Sequence, residues 1–348
     1  MPASANVTRP DSAGLRDARM TLVDLILWCS AFGLIAIAIT IGNSITIAVF
    51  TRKKLLRSRA NYFLISLACA DLMVGVVTLP LYLCTLVFYW RNGEATPSHV
   101  FFTYMAVDIF SVFASIFALT VIAIERLFAV LWPLKHRVAS DQLYYSLVGL
   151  TWALSATISL FYYLFAYQVL LIKVFFYLVI FFIFSSLTVI CIAYALIWLR
   201  LKVKMPHGGK HSRQSSVSRY GNEVEKEDVR RRVDQDILLT TLCIVTLVFV
   251  VTWVPFYILN IVVFFHDGKM EVAPNGFYFS KLLHYSNSYV NPIVYSIRIP
   301  KFSKTLSLFV HRKRQAFIES YRLLSSRYKS SSSSQSKSRE IVERETSL

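Results

Sequence analysis

Long apolar runs dominate this chain and leave it few folds to choose from. They cover Leu22 to Phe50, Tyr62 to Trp90, Phe101 to Pro133, Leu143 to Trp198, Ile237 to Phe265 and Gly276 to Ile297. A helix crosses a bilayer with about 20 apolar residues. The run from Leu143 to Trp198, interrupted by Gln168 and Lys173, is long enough for two such helices, with the turn expected between Ala166 and Ile172. The expected fold is therefore all-α and integral to a membrane, a bundle of seven transmembrane helices. Only 16% of the residues are charged, against about 25% in soluble domains. The net charge of +17 is carried by the links and the tail. It reads as the orientation signal of a membrane protein and not as a nucleic-acid surface.

The link after the first run carries Arg52, Lys53, Lys54, Arg57 and Arg59 with no acid, which marks the cytoplasmic side. Residues 1–21 then form an extracellular tail, with a glycosylation sequon at Asn6-Val7-Thr8. That tail lacks the basic start and apolar core of a cleaved signal, so the first span would direct insertion. Residues 22–298 form the transmembrane domain, with 200–235 as a flexible cytoplasmic loop. Residues 299–314 place Phe302, Leu306 and Phe309 on one side and bases on the other, an amphipathic helix suited to lie on membrane lipids. Residues 315–348 read as a disordered cytoplasmic tail. Its serine run Ser330 to Ser334, like Ser215-Ser216, suits kinases or is simply solvated. Thr346-Ser347-Leu348 fits the terminal pattern that PDZ domains read.

The third run holds one charge between Phe101 and Ile124, namely Asp108, and then Glu125-Arg126. A buried carboxylate in a membrane segment is costly and marks a functional position. Asp108 and Arg126 are a whole number of helical turns apart, about 27 Å along one face, with Ser111 and Ser115 between them. The neighbouring helix faces fall into three layers. The outer layer takes Asp108, the i, i+3, i+4, i+7 face Trp253, Phe256, Tyr257 and Asn260, and Lys281 and Tyr285. An acid among aromatic rings suits an ammonium ligand, through charge pairing and cation–π attraction. The middle layer takes Asn43, Asp71, Ser115, Asn287, Ser288 and Asn291, and suits either a sodium ion or a hydrated hydrogen-bond network. The inner layer takes Glu125, Arg126, Tyr194 and Tyr295. Each of the five cysteines, Cys29, Cys69, Cys84, Cys191 and Cys243, falls in an apolar run, where small buried residues are expected and a disulfide framework is not. With no metal cluster and no nucleophile–base pair in sight, an enzyme is not expected. His284 reads as core or cavity lining.

The chain resembles rhodopsin-like (class A) G-protein-coupled receptors. The resemblance rests on Gly42-Asn43, Leu67-Ala68-Cys69-Ala70-Asp71, Glu125-Arg126-Leu127 with Pro133, Trp152, Thr252-Trp253-Val254-Pro255, Asn287-Ser288 and Asn291-Pro292-Ile293-Val294-Tyr295. Asp108, Tyr285, Pro80, Trp253 and Phe256 match residue types of the biogenic-amine receptors in that family. The resemblance implies an extracellular small-molecule ligand, an amine held by Asp108, and a sodium site at Asp71, Ser115, Asn287 and Asn291. It also implies a heterotrimeric G protein engaged near Arg126, receptor kinases and arrestin as partners, and a plasma-membrane location. A lipid or peptide ligand is the alternative within the family, and a transporter or channel the alternative outside it, though no internal repeat supports the latter.

The departures from the family matter. Phe101 stands where the family has the outer cysteine of the third span, so its usual disulfide cannot form. Ser186 replaces the fifth-span proline, and Leu178, Val179 and Phe182 fall where catechol-binding serines occur. Gln235, flanked by Asp234 and Asp236, replaces an acid that latches the inner arginine, which implies a weaker latch and higher basal activity. Tyr285 excludes a retinal-bearing lysine at that position. Lys281, one turn outward of Tyr285, either pairs internally with Asp108 or snorkels to water.

Overall fold

The structure, a computed structural model, describes residues 20–51, 60–92, 96–166, 168–204, 240, 244–266, 274–300, 302–312, 314–315 and 317–321. Its helices cover Leu22–Phe50, Asn61–Asn92, Ser98–Leu131, Asp141–Phe165, Val169–Lys204, Ile244–Phe265 and Pro274–Arg298, with a short helix Pro133–Val138 after the third. Local sequence explains their starts. Thr21 and Asp24 form a capping box on the first helix, with Thr21 Oγ1 accepting from the Asp24 N–H at 3.1 Å. Ser140 caps the fourth helix by accepting from the Leu143 N–H at 3.3 Å. Pro133 opens the short helix, where its missing N–H costs nothing. Between the fourth and fifth helices the chain turns at Ala166, and helix resumes at Val169. The turn is thus shorter than the Ala166–Ile172 stretch expected from sequence.

Six of these helices are long and apolar enough to cross a membrane. The seventh, Pro274–Arg298, falls below that standard because it buries polar residues instead: Lys281, His284, Asn287, Ser288 and Asn291 all face inward. Outward-facing Leu34, Ile37, Leu160, Phe181, Ile192 and Leu247 are exposed and form an apolar coat. In water that coat would be a liability; in lipid it is the solvent-facing surface. The protein is a multi-pass membrane protein.

The third helix is the axis of the bundle. Of its most apolar window 67% is buried, against 22% for the first, fourth and fifth spans. It packs on the second, fourth and fifth helices, and the first helix closes the ring against the seventh. Two glycines permit close approaches. A Cβ on Gly42 would sit 3.0 Å from Pro292 Cγ, so the first helix meets the seventh at its internal proline. A Cβ on Gly75 would sit 2.7 Å from Thr40 Oγ1. Gly75 lies in a π-helical turn, Val74–Thr78, that precedes Pro80. Pro80 cannot donate to an i−4 carbonyl, and the wider turn takes up the break in place of a simple kink.

Among the cysteines, Cys29 and Cys69 are half-buried, whereas Cys84 and Cys191 lie on the apolar outside of the bundle. The expectation of uniform burial fails there because lipid, like a protein interior, accepts a thiol. None of these four forms a disulfide. Residues from Pro300 onward form a separate unit. Within it residues 302–312, 314–315 and 317–321 are helical, running beyond the boundary at 314. Phe302 is buried, Leu306 and Phe309 are half-buried, and Lys304, Arg312 and Arg314 are exposed. Asn6, Ser215-Ser216, Asp234 to Asp236, Cys243, Ser330 to Ser334 and Thr346 to Leu348 lie outside the described residues.

Candidate functional site

The third helix carries Asp108 into the outer half of the bundle, where it is only 7% exposed. Two phenols meet its carboxylate. Tyr285 OH donates to Oδ1 at 3.0 Å, and Tyr104 OH donates to Oδ2 at 3.4 Å. The two hydroxyls are 3.1 Å apart. Each phenol has a single proton, and donating it to Asp108 or to the other phenol leaves the Tyr104 oxygen free to accept. It does so from Lys281 Nζ.

Lys281 does not snorkel. It is buried, and its ammonium lies over the rings of Tyr82 at 4.3 Å, Tyr104 at 4.9 Å, Phe256 at 5.7 Å, Tyr285 at 5.8 Å and Phe277 at 5.9 Å. Nor does it form a direct ion pair with Asp108: the Tyr104 hydroxyl stands between them. Both alternatives read from the sequence thus give way to a third arrangement. The fold holds a lysine in an aromatic cage by the same cation–π attraction that would hold a free ammonium.

The aromatic face of the sixth helix borders this cage. Trp253, Phe256 and Tyr257 gather around His284, with ring centroids at 4.7, 4.9 and 6.0 Å. Below them the Phe249 ring lies 4.2 Å from that of Trp253, tilted by 36°. Asn260 does not join the group, because its side chain donates to the Phe256 carbonyl of its own helix at 2.7 Å. Sequence reasoning misses Tyr104 and Tyr82. Tyr104 carries a signal, since it sits one turn outward of Asp108 on the same face. Tyr82 lies on another helix and carries none.

In the middle layer Asp71 is fully buried and accepts from Ser115 Oγ at 3.2 Å and from Asn291 Nδ2 at 2.8 Å. Asn43 Nδ2 ties the first helix to the Ser288 carbonyl at 3.0 Å. A small cavity, with room for about one water or ion, is lined by Ser111, Ser115, Trp253, His284, Asn287 and Ser288. Trp253 Nε1 and His284 Nδ1 are buried without a hydrogen-bond partner among the described residues, and both residues line that cavity. A hydrated space is the ordinary way to satisfy such groups. Among the described residues, no three metal-ligating His, Cys, Asp or Glu side chains come together.

At the inner end Arg126 is ion-paired with its neighbour Glu125, and both are buried. Glu125 Oε1 also meets His136 Nε2 at 2.8 Å, and Tyr144 OH lies 3.2 Å from the same nitrogen. The arginine is thus held from its own helix and, through Glu125, from the short helix Pro133–Val138. Tyr295 is buried with its ring 6.0 Å from Phe50, and Tyr194 is half-buried on the fifth helix. Trp152 has a structural partner, donating to Ser66 Oγ at 2.9 Å between the fourth and second helices.

The sequence profile described as "7 transmembrane receptor (rhodopsin family)" matches residues 42–295. The chain is 35% identical to a dopamine D2-like receptor of Drosophila melanogaster over 150 residues, 42% of this chain and 16% of that one. It is 30% identical to muscarinic acetylcholine receptor M3 of Gorilla gorilla gorilla over 158 residues, 44% of this chain and 26% of that one. It is 35% identical to the histamine H4 receptor of Rattus norvegicus over 104 residues, 30% of this chain and 26% of that one. The chain spans about a quarter or less of the length of these relatives.

Proposed function

The chain belongs to the rhodopsin family of seven-transmembrane receptors, and from that premise we propose that it is a G-protein-coupled receptor for a small ligand bearing an ammonium group. It is accordingly not an enzyme. One observation carries the ligand class: a buried Asp108 receives two phenol hydrogen bonds at the edge of an aromatic cage. A carboxylate so placed is stabilised but not neutralised by protein hydroxyls, and the aromatic rings of the cage stand close by. The relatives named for dopamine, acetylcholine and histamine support the same class. The ligand contacts in this reading are Asp108, Trp253, Phe256, Tyr257, Lys281 and Tyr285, with Asn260 at the margin.

The other layers divide the remaining roles. The N-terminal tail faces outside the plasma membrane, with Asn6 glycosylated. Asp71, Ser115, Asn287 and Asn291 would hold a sodium ion as an allosteric ligand through their carboxylate, hydroxyl and amide oxygens. Glu125, Arg126, Tyr194 and Tyr295 form the switch to the G protein. Ligand binding shifts the population toward a state in which the sixth helix swings outward below Pro255, and Phe249 and Ile116 repack during that change. Receptor kinases and arrestin act on the cytoplasmic serines, and a PDZ protein takes Thr346 to Leu348.

The deciding experiment is a second-messenger screen of small ammonium compounds on cells expressing the full chain, with Asp108→Ala as the control. Full potency of an activating compound on that variant, at normal surface expression, removes the ammonium assignment. A second reading, a ligand of another class, draws on Lys281 already filling the cage. It is favoured if an uncharged lipid or a peptide activates the parent and Asp108→Ala alike.

A further inference from the structure

Charge counting in the outer layer limits the ligand further. Among the described residues, Asp108 and Lys281 are the buried Asp, Glu, Lys or Arg side chains of that layer. His284 is buried against the rings of Trp253, Phe256 and Tyr257 with no carboxylate bonded to it among the described residues, so it enters the count as neutral. The acid and the base therefore sum to zero before any ligand arrives. A simple monocation that binds Asp108 adds a second positive charge beside a buried ammonium. The two repel across a medium that screens poorly, and one of them is left without a counter-charge.

The acid and base are also not consumed by each other. The Tyr104 hydroxyl holds them one oxygen apart, bonded to Lys281 on one side and 3.4 Å from Asp108 Oδ2 on the other. On the Lys281 side there is a spare donor. Tyr82 OH is buried and has no hydrogen-bond partner among the described residues, and its ring lies 4.3 Å from Lys281 Nζ. The Asp108 end is rich in acceptor capacity, and the Lys281 end is rich in donors.

We propose that the ligand is a zwitterion of the amino-acid type, whose ammonium pairs with Asp108 and whose carboxylate pairs with Lys281 and Tyr82. This rests on the ammonium reading above and adds the anionic group. A guest with both charges on neighbouring carbons replaces the Tyr104 bridge, converts two half-paired charges into two full pairs, and leaves the layer neutral. Its side chain meets the rings of Trp253, Phe256 and Tyr257, so aromatic members fit best.

The test uses matched pairs that differ only by the carboxylate: phenylalanine and phenethylamine, tyrosine and tyramine, tryptophan and tryptamine, histidine and histamine. Nucleotide exchange on a co-expressed G protein is read in membranes carrying the full chain. The expected result is that at least one amino acid acts on the parent at a concentration about tenfold or more below that of its amine. Lys281→Met reverses the order within that pair, and Lys281→Arg keeps it, which controls for folding. Tyr82→Phe weakens the amino acid severalfold and leaves the amine unchanged. If in every active pair the amine equals or beats its amino acid on the parent, the zwitterion is overturned and the ammonium reading stays intact. Silence of all four amino acids overturns it too. If 3-phenylpropionate, which lacks the ammonium, acts equally on the parent and Asp108→Asn, the ammonium reading itself fails.

Discussion

Among the described residues two aspartates are buried, and their surroundings differ in kind. Asp108 is bonded by two phenols, ringed by aromatics, and has a lysine one hydroxyl away. Asp71 is bonded by a serine hydroxyl and an asparagine amide, and that serine, Ser115, lines a water-sized cavity with Asn287 and Ser288. The same carboxylate therefore has two different vocations. Rings and phenols leave room for an organic cation, which gains from cation–π contact and apolar walls. Hydroxyls and amide oxygens in a water-sized space match the hard, oxygen-seeking chemistry of a small inorganic ion. Burial alone does not distinguish the two sites; the identity of the partner groups does.

The largest expected effect lies at the outer acid. Removing one member of a buried charge pair costs about 3–5 kcal/mol, which corresponds to more than ~100-fold in affinity. Asp108→Ala should therefore shift the concentration response to any ammonium agonist by at least that much, read as second messenger per receptor at the surface. Asp71→Ala should leave agonist recognition within about tenfold, because Asp71 reaches the ligand only through the layers between. Equal losses at the two aspartates would erase the distinction drawn above.

The second effect belongs to the inner aspartate. If Asp71 faces a sodium ion, the purified receptor should melt a few degrees higher in sodium chloride than in potassium chloride. Anything that binds the folded state alone stabilises it by mass action. Asp71→Asn should abolish that difference, and Asp108→Asn should keep it. A sodium-dependent shift that survives Asp71→Asn would move the ion elsewhere and leave the middle layer a hydrated network.

Much of this contrast is legible in the amino-acid sequence, and the illegible part has a physical reason. Periodicity places Asp108, Ser111, Ser115 and Arg126 on one face, because helical spacing is a local property of one segment. It also puts Trp253, Phe256 and Tyr257 together. It cannot say whether Lys281 turns inward or outward. That depends on Tyr82 and Tyr104, which two other helices bring to within 4.3 and 4.9 Å of its ammonium. Nor can it reveal that Glu125 is shared between Arg126 and His136, since His136 arrives only after the chain turns at Trp132. The π-helical turn at Val74–Thr78 is hidden for a similar reason. Pro80 announces a break, but the form of the break is set by packing of Gly75 on the first helix.

The third effect is on stability and again separates the layers. A side chain on Gly42 would press on Pro292, one residue from Asn291 and its bond to Asp71. Overpacking of this kind costs about 1–3 kcal/mol, so Gly42→Val should lower the melting temperature by several degrees. It should also blunt the sodium shift, while ligand potency, set a few turns outward around Asp108, changes less. A variant that loses ligand potency and keeps its sodium response would show that the seventh helix couples the layers in the opposite sense.

The smallest effect is expected at Asn260, and it tests the outer boundary of the aromatic site. Sequence spacing places Asn260 on the same face as Trp253, Phe256 and Tyr257, yet its amide donates to the Phe256 carbonyl one turn below at 2.7 Å. A side chain bonded to its own helix has one donor N–H fewer to offer a guest. Its carbonyl oxygen remains available to a ligand only at the rim. Asn260→Ala removes a local hydrogen bond worth about 1 kcal/mol and should change agonist potency by less than about threefold at unchanged surface expression. A loss on the scale of Asp108→Ala would mean that Asn260 releases its own carbonyl when ligand binds. The site would then extend a full turn farther toward the outside than the cage around Lys281.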